Sequence, residues 1–248
     1  MDIFDSHCHI IDPEYPVIEN QGYSPNPFTC EDYLNAAEKY NMKGGVVISG
    51  SFQGYDYSYL KSALEKLGND YVGVANISPD WTDEELSHLD SIGVRGIRFN
   101  FKRGGGTPTD VLEQLGRRVF NLFGWHSELY IDTKDLKDIK REILNLPKVS
   151  IDHLGFSTDG QNTLLELVEK GIQVKATGFG RIDLDPISTM QKIHKINPKA
   201  LMFGSDLPST RAVRPFCSSD INLIKDNFSK EDLDLILKTN ARQFYRIN

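Results

Sequence analysis

Long apolar runs are missing from this chain. No stretch approaches the roughly 18 consecutive apolar residues of a membrane span, and the opening Met1-Asp2-Ile3-Phe4-Asp5 carries neither a basic cluster nor a leader-like apolar block. Together these absences set the expectation of a cytoplasmic protein with no membrane partner. Cysteine is scarce as well. Cys8, Cys30 and Cys217 are an odd number with no C-x-x-C spacing, which argues against a disulfide framework or a zinc ribbon and for free thiols in a reducing compartment. Dense basic blocks are absent too. With 28 Lys and Arg against 35 Asp and Glu, the formal charge is −7, so no nucleic-acid partner is expected. Low-complexity tracts and linkers do not occur, and residues 1–248 read as one domain.

What the chain does have is a rhythm. Eight short apolar segments end in polar or small residues, at 2–8, 44–50, 71–77, 94–100, 127–132, 148–154, 172–177 and 201–206. Several are continuous apolar runs, as strands buried on both faces are. Helical spacing fills the gaps between them. Leu60, Ala63, Leu64 and Leu67 keep an i, i+3, i+4, i+7 pattern that stops at Gly68, and Leu136, Ile139, Ile143 and Leu146 read as a second helix. Helix starts are visible at Thr82 with Glu85, at Asp185-Pro186 and at Ser229. Strand and helix alternating eight times in this length predict a (β/α)₈ barrel, with an open doubly wound sheet as the other solution.

In such a barrel, chemistry gathers where the strands end. The first strand ends in Asp5-Ser6-His7-Cys8-His9, whose two histidines, two residues apart in an extended chain, face the same side. The sixth ends in Ile151-Asp152-His153 and the eighth in Gly204-Ser205-Asp206. Three imidazoles and one carboxylate at one mouth can polarise a carbonyl, orient a water and move a proton near neutral pH. That is a hydrolytic site. Cys8, alternating with the histidines, should point into the barrel wall. His126 lies at the wrong end of its strand, and His88 and His194 fall on helices, so packing is the reading for all three.

The ordered set of Asp5-Ser6-His7-Cys8-His9, Gly96-Ile97-Arg98-Phe99-Asn100, Ile151-Asp152-His153-Leu154-Gly155, Lys175-Ala176-Thr177-Gly178, Gly204-Ser205-Asp206-Leu207-Pro208 and Asn240-Ala241 resembles the amidohydrolase superfamily. The resemblance is nearest to the amidohydrolase-2 branch that holds pyrone-dicarboxylate lactonase and sugar lactonases, and it runs over essentially the whole chain. It implies a (β/α)₈ fold and hydrolysis of a small lactone or related C–O or C–N bond. In that branch the residue matching Asp206 activates the water, and those matching His7, His9 and His153 bind substrate or polarise its carbonyl.

The fifth strand departs from the metal-dependent relatives, which usually carry a histidine where this chain has Tyr130-Ile131-Asp132. No bridging lysine or glutamate ends the fourth strand, which argues against a binuclear centre. Two cofactor expectations follow: none required, or one divalent metal such as zinc held by His7, His9 and Asp206. On the substrate side, Arg98, Arg103 and Arg181 are expected to bind an anionic small molecule, since the guanidinium fork suits a carboxylate. Lys175 is either a contact or an electrostatic prop paired with Asp152 or Asp206, and Gln53 and Tyr57 are further candidate contacts. The competing readings are a metal-dependent amidohydrolase or decarboxylase and a binding protein that has lost activity. Assembly into a homo-oligomer stays open.

Overall fold

The computed structural model describes residues 1–247. Eight parallel strands, β1 (Ile3–Cys8), β2 (Met42–Ile48), β3 (Tyr71–Ala75), β4 (Val94–Asn100), β5 (His126–Tyr130), β6 (Val149–Ile151), β7 (Gln173–Ala176) and β8 (Leu201–Phe203), pair in simple sequential order. Just beyond β8 the ring meets its own start. Asp206 N donates to the His7 carbonyl and His9 N to the Leu207 carbonyl, both at 2.8 Å. An open doubly wound sheet reverses its strand order at a switch point and leaves two edges. This sheet does neither, so it is the (β/α)₈ barrel.

Helices α1 (Cys30–Lys39), α2 (Ser58–Leu67), α3 (Asp83–Ser91), α4 (Leu112–Phe123), α5 (Lys140–Leu144), α6 (Gln161–Glu169) and α7 (Pro186–Ile196) fill the crossovers, followed by α8 (Ser218–Lys225), α9 (Lys230–Asp234) and α10 (Asn240–Tyr245). The local signals act where they stand. Thr82 and Glu85 cap α3 reciprocally, Asp185 caps α7 ahead of Pro186, and α2 stops at Gly68, whose φ of 88° suits a residue without a Cβ. The helix expected through Leu136 and Leu146 is instead a 3₁₀ stretch, Thr133–Ile139, leading into the short α5. Leu136 and Ile139 are three apart, as are Ile143 and Leu146, a spacing that a 3₁₀ turn satisfies as well as an α-helix. The last helical segment likewise breaks, with a π turn at Leu235–Thr239 between α9 and α10.

Two apolar layers hold the barrel. The larger lies between strands and helices, and the second groups Phe4, Val46, Val72, Val74 and Met202 with Phe244 and Tyr245 of α10. Burying each such side chain contributes about 1.5–3 kcal/mol. Further along the axis the interior becomes polar. On β5, His126, Glu128 and Tyr130 alternate onto one face, and all three are buried. The barrel is therefore apolar at one end and charged toward the other, where the strands terminate.

Candidate active site

The seam that closes the ring also builds the site. His7 and His9 of the first strand meet Asp206 beyond the last, and each Nε2 lies 3.8 Å from Asp206 Oδ1. His153, just past β6, brings its ring to 5.0 Å from that of His7. Two of these residues sit in the left-handed region, His153 at φ 53° and Asp206 at φ 62°, which costs a side-chain-bearing residue roughly 1–2 kcal/mol. Packing compensates at His153: a Cβ on Gly178 would lie 2.5 Å from its Nδ1, so only glycine leaves room for the imidazole.

Hydrogen bonding decides where the imidazole protons sit. His9 Nδ1 lies 2.8 Å from the Ile48 carbonyl, which can only accept, so Nδ1 carries the proton and Nε2 presents a lone pair. His7 is the reverse. Its Nδ1 lies 3.3 Å from Lys175 Nζ, an ammonium that can only donate, so the proton of the neutral ring sits on Nε2. Asp152 Oδ1 is also 3.3 Å from that nitrogen but forms no hydrogen bond there. All three rings are neutral. Burial, reinforced by Lys175 and Arg98, holds His7 well below the usual histidine range; burial and Arg98 bring His9 down to about 3; burial and Arg181 depress His153. Neither nitrogen of His153 has a partner.

Asp206 responds oppositely. Complete burial pushes its carboxyl up to about 7, even though Arg181 Nη2 approaches Oδ2 to 2.6 Å. Oδ2 is taken up by that guanidinium, while Oδ1 has no hydrogen-bond partner. Beneath the imidazoles, Lys175 Nζ meets Glu128 Oε2 at 2.5 Å, and Arg98 donates to Asp152 from Nη2 at 2.9 Å and from Nε at 3.2 Å. Three buried acids, Glu128, Asp152 and Asp206, thus face three cations, Lys175, Arg98 and Arg181. The local charges balance.

A narrow cleft opens above this floor, bordered by His9, Arg98, Arg103, Tyr130, Arg181 and Arg211. Arg98 stacks on Tyr130, its guanidinium carbon 4.8 Å from the ring centre. Of the residues expected at the substrate, Arg98, Arg103 and Arg181 border the cleft. Three others do not. Lys175 is fully buried below the histidines. Gln53 spends its amide on the Ile10 carbonyl at 2.9 Å and its oxygen on Gly50 N at 2.7 Å, which makes it a strut between loops. Tyr57 packs edge-on against Trp81 at 5.7 Å. Cys8 does turn away, toward the Val46 carbonyl, and burial raises its thiol far from a reactive range. Arg181 pairs with Asp206. Sequence reading missed Glu128, Tyr130 and Arg211. The first two were legible in the alternation of a strand whose inward positions are all polar; Arg211 lies in a loop with no such signal.

Among the described residues, His7, His9 and Asp206 form one group of three donors within 4.8 Å of one another, and His7, Asp152 and His153 form another. Two imidazoles and a carboxylate are a donor set a single divalent ion accepts. His7 opposes that use, since its Nε2 holds a proton as long as Lys175 donates to the other nitrogen.

A family profile described as amidohydrolase matches residues 4–247. This chain belongs to the amidohydrolase family. Relatives within reach include a 2-pyrone-4,6-dicarboxylate hydrolase of Comamonas testosteroni, 31% identical over 156 residues that make up 61% of this chain and 51% of the relative. A 4-sulfomuconolactone hydrolase of Rhizobium radiobacter is 27% identical over 83% of this chain and 75% of its own length. The chain thus spans about half of the first relative and three quarters of the second. Among solved structures, a probable 2-pyrone-4,6-dicarboxylic acid hydrolase of Acinetobacter baumannii, with citric acid bound, superposes with a TM-score of 0.85 at 26% identity, over 99% of this chain and 100% of that one. No helix among the described residues is long and apolar enough to cross a membrane.

Proposed function

We propose that this protein is a hydrolase that opens a small lactone bearing carboxylate or similar anionic groups. The names of the relatives above support this substrate class. One observation carries the chemistry: Asp206 Oδ1, which has no hydrogen-bond donor while Oδ2 rests against Arg181, lies 3.8 Å from both the Nε2 lone pair of His9 and the Nε2–H of His7. A water in that gap gives one proton toward Asp206 and the other toward His9, which aims its own lone pair outward at a carbonyl carbon. Asp206 removes the proton as the C–O bond to water forms. The oxyanion is met by His7 Nε2–H and by an N–H of His153, donors already fixed in a dry site. Collapse of the tetrahedral adduct breaks the ring C–O bond, and the departing oxygen recovers the proton from Asp206. Nothing is left over.

Base catalysis by a carboxyl held near 7 predicts the pH profile. kcat/KM for the lactone should rise with pH and level off above about 7, because the protonated acid cannot accept the water's proton. Folding stability should run the other way: the folded chain keeps a proton that the unfolded chain, with an ordinary value of 3.8, has released, so this contribution is complete below about 4 and is lost as pH rises through about 7. A flat rate between pH 5 and 8 would remove Asp206 from the role of base.

A second reading has its own observation in the donor group His7, His9 and Asp206. An ion there would be held by those residues and would act as a Lewis acid toward the carbonyl, in a metal-dependent hydrolase or a decarboxylase. Two features favour the arrangement without it, the Nε2 proton of His7 and a charge balance that a dication would upset. Activity should therefore survive dialysis against a strong chelator, with elemental analysis showing far less than one metal per chain. Loss of turnover that one equivalent of zinc restores would establish the metal-dependent reading.

A further inference from the structure

Charge pairing divides the four arginines of the cleft into two classes. Arg98 is bound to Asp152 and Arg181 rests on Asp206. Arg103 and Arg211 border the same cleft, and among the described residues neither has a carboxylate partner. The Arg211 guanidinium contacts the Asn20 carbonyl, Asn20 Oδ1 at 3.1 Å, and the face of Tyr23, 4.3 Å from the ring centre. Arg103 reaches no further than Gln21 Oε1 at 3.5 Å, and its Nε is buried with no partner. Both residues are only partly exposed, so two like charges meet in a setting that weakens solvation. Burial, with the repulsion from Arg103 added to it, pushes the Arg211 guanidinium down from its ordinary range. An anion between them relieves the repulsion and satisfies the orphaned Nε.

Resting on the lactone-hydrolase reading, we propose that Arg211 forms with Arg103 an outer anion subsite, which takes one of the substrate's two anionic groups and selects doubly charged lactones over singly charged ones. The inner arginines serve the other anionic group, since Arg181 keeps a buried Nε without a partner. Arg211 reaches its position from a backbone at φ 61°, in the loop that follows Asp206, so the subsite is tied to the base by five residues of chain. The alternative role for Arg211 is mechanical. Through Asn20 and Tyr23 it straps the segment between β1 and α1 across the mouth, and a strap would affect every substrate alike.

Steady-state kinetics with 2-pyrone-4,6-dicarboxylate and with both monocarboxylates, 2-pyrone-4-carboxylate and 2-pyrone-6-carboxylate, separate the two roles. For Arg211→Met we expect KM for the dicarboxylate to rise about tenfold or more, with KM for the monocarboxylate held by the inner arginines changed by less than about twofold and the effect on kcat small for all three compounds. Arg211→Lys should recover part of the loss, because it restores the charge without the fork. Equal changes for all three compounds, or a loss confined to kcat, would overturn the subsite. Calorimetry with citrate, a polyanion that is not a lactone, judges the subsite apart from turnover. If wild-type protein opens none of the pyrones yet binds citrate about tenfold more tightly than Arg211→Met does, the lactonase reading fails and the subsite stands; an unchanged Kd, or no citrate binding by wild-type protein, overturns the subsite.

Discussion

Asp206→Asn should lower kcat for a hydrolysed lactone by about 10³-fold, within the 10²–10⁴ range that a positioned general base supplies. Asn keeps the shape of the side chain and an oxygen for Arg181 but has no basic site. The thermal transition should therefore stay cooperative, which separates lost chemistry from lost fold. His9→Ala should cost less, because it removes the water's second acceptor and leaves the base in place. Turnover by Asp206→Asn within tenfold of wild type would end the assignment, and attention would pass to the imidazoles alone.

The second large effect is on stability. Lys175→Met removes the ammonium that lies 2.5 Å from Glu128 and 3.7 Å from Asp152, with every side chain involved fully buried. Stranding a buried charge in this way typically costs about 3–5 kcal/mol, which urea denaturation should register as a lower midpoint at unchanged slope. The double variant Lys175→Met/Glu128→Gln should recover part of the loss, since the two deletions leave one fewer unpaired charge. A single variant as stable as wild type would mean that water or Arg98 already screens Glu128. The same substitution has a catalytic consequence. Without a donor at Nδ1, the His7 proton can move to face Asp152, and the oxyanion loses one of its N–H groups.

Much of the barrel and its polar mouth is legible in the amino-acid sequence. The eight strand ends and the meeting of His7, His9, His153 and Asp206 followed from period-two alternation and from the rule that parallel barrels carry their chemistry at one mouth. Contacts to long polar side chains were less accessible. Gln53 was expected at the substrate, but a glutamine five positions past the end of β2 reaches backbone as readily as ligand, and the carbonyl of Ile10 lies 43 positions away in the chain. Lys175 was expected to pair with Asp152 or Asp206, and Asp152 does lie 3.7 Å away, but its nearer partner is Glu128 at 2.5 Å; the alternation of β5 turns Glu128 inward without telling which cation it meets. The 3₁₀ stretch at Thr133–Ile139 shows the limit of apolar spacing, which does not distinguish helix types when hydrophobic pairs are three apart. Which arginines are already neutralised depends on pairings over distances that no pattern in the chain encodes.

The backbone bonds between Asp206 and His7, and between His9 and Leu207, have a bearing on how the molecule acquires its activity. The water-activating unit straddles the join between the earliest and the latest strand, about 200 positions apart in the chain. A partly folded chain that has assembled the middle strands holds Arg98 and His153 but has no base beside its imidazoles. Catalysis should thus return during refolding only with the final docking of the two chain ends, later than the bulk of the helical signal, which makes turnover a direct clock for that last event.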